Sequence, residues 1–184
     1  MKTYISMLRG VNVGGKVMHM AELKRLFESL SLIHVETFLQ SGNVVFDAEP
    51  QDLSALGKML ERQIERNFGY PVPVLLRDSQ DMNRILTGNP FLTGRSEDPG
   101  KLHVTFFAQA PAEEQWNSLN APDSGEDEFI PGAAEVYLFC PNGYGRTKLT
   151  NTFFEKKLNL PATTRNWNTV NALYRLADGR QPHH

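Results

Sequence analysis

The sequence predicts an α+β protein made of two ferredoxin-like (βαββαβ-type) halves packed together, antiparallel sheets with helices on one face. Three observations predict it. Short strand patterns alternate with amphipathic helix patterns, the order over residues 1–78 reads βαββαβ, and a related order recurs over 79–180. βαββαβ is the split-βαβ plan.

Residues 3–8 (TYISML) read as a strand, and the Gly- and Asn-rich loop RGVNVGGK follows at 9–16. Met20, Leu23, Leu26, Phe27 and Leu30 recur at the spacing of one helix face, which predicts a helix over 19–31. Strands are expected at 34–40 and 43–47, joined by Ser41, Gly42 and Asn43, which suit a hairpin turn. Leu53, Leu56, Leu60, Ile64 and Phe68 mark a second helix closed by Gly69, and Val72, Val74 and Leu76 a fourth strand. The later half opens with a short helix at 79–87 and a strand at 102–108. Pro111 starts a helix carrying Trp116 and Leu119, since the first helical turn has no use for the missing N–H. Strands at 127–130 and 135–140 and helices at about 150–159 and 165–177 complete it. This half therefore reads as a modified copy, βαββα with an extra C-terminal helix.

The 184 residues exclude a large multidomain enzyme, and 40% hydrophobic residues suffice for a core. A single cysteine, Cys140, excludes an intrachain disulfide framework and a Cys-rich zinc site, and fits a reducing cytoplasm. No apolar run reaches the ~18 residues of a membrane span, and the N-terminus turns polar too early for a signal peptide. The net charge of -2 hides an asymmetry: residues 142–184 carry 7 Lys and Arg against 2 Asp and Glu, leaving 12 against 19 for residues 1–141. Seven of the carboxylates lie from Glu113 to Glu135. A solvated, partly paired surface accounts for this pattern. A basic end facing an anionic ligand is the functional alternative.

Gly10-Val11-Asn12-Val13-Gly14-Gly15-Lys16 satisfies GxxxxGK between a strand and a helix. Val17 follows where a P-loop needs Ser or Thr for Mg²⁺, and βαββαβ is the wrong order for a parallel nucleotide-binding sheet. Asp47 ends an apolar strand as a Walker-B Asp does, but such an Asp is common by chance. What remains is a general anion site using Arg9, Asn12, Gly14, Gly15 and Lys16, set against a plain tight connection. A second concentration, Gly143 to Asn151 followed by Thr163 to Trp167, holds Arg146, Lys148, Arg165 and Asn166 before predicted helices. Thr147 or Thr150, and Thr164, are expected as N-caps. Cations at positive helix ends are unfavourable unless an anion joins them. Trp167 continues into Val170, Leu173 and Ala177 and belongs to the core. No GxSxG, HExxH or CxxC occurs and the histidines are scattered, so no catalytic residue, metal site or cofactor is assigned. Pro182, His183 and His184 are set aside.

The segments LRGVNVGGK (8–16), TFLQSGNVVF (37–46), NPF (89–91), GRTKLTN (145–151) and ATTRNWNTV (162–170) resemble the signature blocks of the bacterial family called domain of unknown function 1697. The resemblance runs from Tyr4 to about Leu176. It implies a cytosolic α+β protein of two ferredoxin-like halves and no assigned activity. Thr147 stands where Ser is commoner in the family, and Asn168 where Arg is frequent, which removes one positive charge from the basic cluster.

The leading expectation is a small anionic, phosphate- or carboxylate-bearing ligand in the groove between the halves, held by Arg9, Asn12, Gly14, Gly15, Lys16, Ser41, Asn43, Arg146, Lys148, Arg165 and Asn166. One alternative is a protein-interaction or oligomerisation module using the acidic 113–135 stretch. RNA or single-stranded nucleic-acid binding on the sheet is the third reading. It is the weakest, since Phe46 alone makes a poor stacking platform.

Overall fold

A computed structural model describes residues 1–120 and 122–180; Pro182, His183 and His184 lie outside the described residues. The described residues form two compact units, one of residues 1–82 with 172–180 and the other within residues 83–171.

In the first unit, β1 (Lys2–Leu8), α1 (Met20–Ser29), β2 (Ile33–Phe38), β3 (Asn43–Ala48), α2 (Leu53–Phe68) and β4 (Val74–Asp78) follow one another. Their sheet has the order β2-β3-β1-β4 and every neighbouring pair is antiparallel. Tyr4 and Leu8, Val44, Phe46 and Ala48, and Val74 and Leu76 alternate along their strands, so their side chains share one sheet face. They join Leu23, Leu26 and Phe27 of α1 and Leu56, Leu60 and Ile64 of α2 in one core. Asp52 caps α2 through the amide of Ala55 at 2.8 Å, and Gly69 ends it in the left-handed conformation.

The link to the second unit carries α3 (Ser79–Thr87) and α4 (Pro90–Thr93), the latter capped by Asn89. Then come β5 (Leu102–Phe107), α5 (Glu113–Asn117), β6 (Glu128–Pro131), β7 (Glu135–Phe139), α6 (Asn151–Leu158), β8 (Ala162–Asn166) and α7 (Trp167–Asp178). The sheet order is β6-β7-β5-β8, again all antiparallel. The expected modified copy is thus corrected: residues 162–166 form the missing last strand, and this unit is a full βαββαβ followed by α7. The helix read over 165–177 starts at Trp167. Phe107, Val136, Leu138, Ala162, Phe154 and Leu158 form the core on which Trp116 packs. Trp167, Val170, Leu173 and Ala177 are buried, as their spacing predicts.

The two sheets match residue by residue. Ile5 of β1 lies opposite Val45 and Arg77, and Val104 of β5 lies opposite Tyr137 and Arg165. Arg77 and Arg165 therefore occupy the same position in their sheets. Both are buried, and in each Nη1 donates back to the preceding carbonyl, Leu76 O at 2.8 Å and Thr164 O at 3.1 Å.

Candidate functional site

In the first unit the loop after β1 and the β2–β3 turn are stitched together. Asn12, at φ 55°, donates from Nδ2 to Met18 O (3.0 Å) and Gln40 O (2.6 Å), and its Oδ1 accepts from the Met18 amide (2.7 Å). Asn12 N also donates to Lys16 O at 2.8 Å, closing the loop on itself. Asn43 Nδ2 donates to Phe38 O (2.8 Å) and Ser41 Oγ (3.0 Å). Between them Gly42 has φ 84°, and a Cβ there would lie 2.6 Å from Val11 Cγ2, so only glycine fits. Asn12, Ser41 and Asn43 are thus brought together, the two asparagines as loop scaffolding. Gly14, Gly15 and Lys16 stand out in solvent, with Lys16 Nζ 5.6 Å from the centre of the Tyr70 ring. Arg9 is half-buried and its amide donates to Pro73 O.

The four second-unit candidates have different fates. Arg146 and Lys148 are exposed. Asn166 caps α7, its Oδ1 accepting from the Thr169 amide at 2.8 Å, a role expected of Thr164. Thr150 caps α6. Arg165 is only 7% exposed; burial pushes its guanidinium pKa down, and Nη1 donates to Thr163 Oγ1 at 2.7 Å. In the acidic stretch, Glu135 meets Arg84 at 2.7 Å and Glu128 meets Arg95 at 2.7 Å. Those charges are compensated within the unit. Cys140 is buried and burial pushes its thiol up to about 11, which keeps it an unreactive thiol.

A cavity of about 570 Å³ in the first unit is lined by Lys24, His34, Val35, Glu36, Asp47 and Arg180. Asp47, 8% exposed, divides its carboxylate between two donors: Thr3 Oγ1 donates to Oδ1 at 2.6 Å, and His34 Nδ1 pairs with Oδ2 at 2.7 Å. The His34 side chain is 70% exposed. His34 sits at φ 52° where the β2–β3 register shifts between Ile33 and Glu36. Arg180 holds this irregularity, Nη1 donating to His34 O (2.6 Å) and Nη2 to the Glu36 carboxylate (2.9 Å). Among the described residues, no helix is long and apolar enough to cross a membrane, and no three acidic, His or Cys side chains are grouped to hold a metal ion.

A family model described as protein of unknown function (DUF1697) matches residues 1–137. The chain belongs to this family. The first three signature blocks, including the loop around Asn12, fall inside the matched segment, whereas 145–151 and 162–170 lie beyond it. The chain is also similar to a solved structure described as the conserved bacterial protein SP0830 from Streptococcus pneumoniae, with a TM-score of 0.74 and 22% identity over 96% of this chain and 98% of that one. At that identity the likeness is one of fold. No curated protein matches.

The family resemblance and the motif search both pass over Thr3, His34 and Asp47 as a group. A strand His and a strand-end Asp carry no motif. Only their places on the two arms of one hairpin hint at a meeting, and the register shift that brings them together is not written in hydrophobic spacing.

Proposed function

We propose that this DUF1697 protein binds a small anion, phosphate- or carboxylate-bearing, at the loop from Gly10 to Lys16. One observation carries the reading: Asn12 fixes the base of the loop by three hydrogen bonds while its tip stays open. A Cβ built on Gly14 or Gly15 meets nothing within 4 Å, so a ligand has access to the backbone. Among the described residues, the amides of Gly14 and Gly15 have no protein acceptor. Exposed amides beside a lysine are the ingredients of an anion cradle. A reducing cytoplasm suits a chain whose one cysteine is a buried thiol.

Thermal unfolding with and without inorganic phosphate, sulfate and citrate tests this. At a hundredfold excess over Kd, binding adds about 2.7 kcal/mol, a Tm rise of roughly 5–10 °C for a chain of this size. Lys16→Ala is expected to remove most of the rise for every anion that stabilises the wild type. No rise at millimolar concentrations, or an undiminished rise in Lys16→Ala, overturns the assignment.

A further inference from the structure

The cavity at His34 carries an inference separate from the loop. Position by position, Thr3 and Asp47 of the first sheet correspond to Leu102 and Phe139 of the second, since each pair lies directly across the central strand pairing. In the second unit that place is apolar, and Phe139 packs on Phe91 at 5.8 Å. The fold therefore does not require a carboxylate there. A buried carboxylate is costly unless its lone pairs are satisfied, and Asp47 has been given two donors on two different elements. With Asp47 accepting at Oδ2, the proton of a neutral His34 ring sits on Nδ1, and Nε2 bears a lone pair. Among the described residues Nε2 has no hydrogen-bond partner. Asp47 on the ring and Arg180 on the carbonyl hold His34 in place before anything binds.

We propose that this cavity is a second ligand site, for a small anion that also bears a hydroxyl. Nε2 of His34 accepts the hydroxyl proton as a hydrogen bond, and the anionic group is received by the N–H groups of Arg180 that Glu36 and His34 O leave unused, assisted by Lys24, whose ammonium lies 3.9 Å from the Glu28 carboxylate. Asp47 is a positioning residue: it sets which ring nitrogen is the acceptor. The space is an open cleft of about 570 Å³, wide enough to admit a small ligand from solvent. Two ligand sources share this chemistry, hydroxy acids and the phosphate monoesters of polyols.

The test uses the whole chain and two matched pairs of probes, lactate against propionate and glycerol 3-phosphate against n-propyl phosphate, titrated by NMR on the imidazole nitrogens of His34. The hydroxylated member of at least one pair is expected to bind about 5–10-fold tighter, one good hydrogen bond's worth. The pair that shows the preference identifies the source. Asp47→Asn offers its amide N–H to Nδ1, which moves the ring proton to Nε2 and turns the acceptor into a donor. The ¹⁵N shifts should then report the tautomer change, and an unchanged pattern would overturn the positioning role of Asp47; because a hydroxyl can also accept from Nε2–H, the preference itself is read from a His34 variant. His34→Ala, at an exposed side chain, should abolish the preference independently of any folding defect in Asp47→Asn. A wild type without hydroxyl preference, or a preference that survives His34→Ala, overturns the proposal. Neither result touches the loop assignment, whose readout is Lys16.

Discussion

At the start of the third strand the first half places Asn43 and the second Glu135, at matching positions opposite Met7 and Phe106. Asn43 donates outward, to Phe38 O and Ser41 Oγ. Glu135 accepts inward, from Arg84 at 2.7 Å and 3.3 Å and from the amides of Ala133 and Ala134 at 3.3 Å and 3.0 Å. The same backbone corner is thus closed with opposite polarity. The halves also differ between the first strand and helix, where residues 9–19 form a pinned, Gly-rich loop in one and residues 108–112 a short link in the other. They differ again at the edge strand: β2 carries the His34 irregularity, while β6 pairs with β7 in unbroken register. Sheet order, strand register and the buried arginine are common property, so these belong to the fold. The open loop and the Thr3–Asp47–His34 chain occur in one half only, which is why both functional assignments rest there.

The largest effects are expected where the halves are alike. Phe46 meets Tyr4 and Phe27, and Phe154 meets Phe107, Phe129 and Phe153. Phe46→Ala and Phe154→Ala should each cost about 3–5 kcal/mol in urea unfolding. Phe154→Ala should cost the more, because the extra ring pair adds about 0.5–1.5 kcal/mol. Equal or reversed costs would show that the aromatic clusters differ in how well they collapse around a cavity.

That shared architecture was the legible part. Leu23, Leu26 and Phe27, or Leu56, Leu60 and Ile64, announce their helices because apolar burial and helical period coincide. β8 hid because it is buried without being apolar. Thr163 and Arg165 bond to one another, and the Thr164 hydroxyl donates a hydrogen bond to Asn151 Oδ1 and accepts one from Thr105. Hydrogen bonds do there what methyl groups do elsewhere, and a hydrophobicity pattern is blind to them. For the same reason the sequence presents Arg165 as a helix-end cation awaiting an anion. The asparagines of the loop and the hairpin were found by residue type, which speaks of turn chemistry, but their partners 28 residues away and 5 residues away became visible only with the strands paired.

Exchanging polarity at the matched corner gives the intermediate effect. Glu135→Gln keeps one acceptor but gives up the charge that strengthens the bonds from Arg84, a loss of about 1–2 kcal/mol. Asn43→Asp replaces the donor facing Phe38 O by an acceptor, at a cost of about 1–3 kcal/mol. Chemical denaturation of the two variants at neutral pH measures both. If Asn43→Asp is neutral, the first corner is not held by its amide and the contrast fails.

The smallest effect lies at the edge of the second sheet, where Arg95 grips Glu128 at 2.7 Å and Glu97 at 2.7 Å. The side-chain hydrogen bond from Arg95 holds the Glu128 carboxyl below its ordinary value. A carboxylate whose folded pKa is depressed stabilises the fold above its unfolded pKa and loses that contribution as pH falls through the folded value. Stability of the wild type should therefore decline on acidification below the ordinary glutamate range more steeply than that of Arg95→Gln, and the two curves should converge once Glu128 is protonated in both. Both side chains are substantially exposed, so salt should shrink the difference. The first sheet has an edge pair of its own, Arg180 with Glu36, but there the arginine also holds the His34 carbonyl. Arg180→Gln should consequently disturb the His34 imidazole resonances, whereas Arg95→Gln should leave them unmoved, which separates an ion pair that only staples an edge from one that also shapes a site.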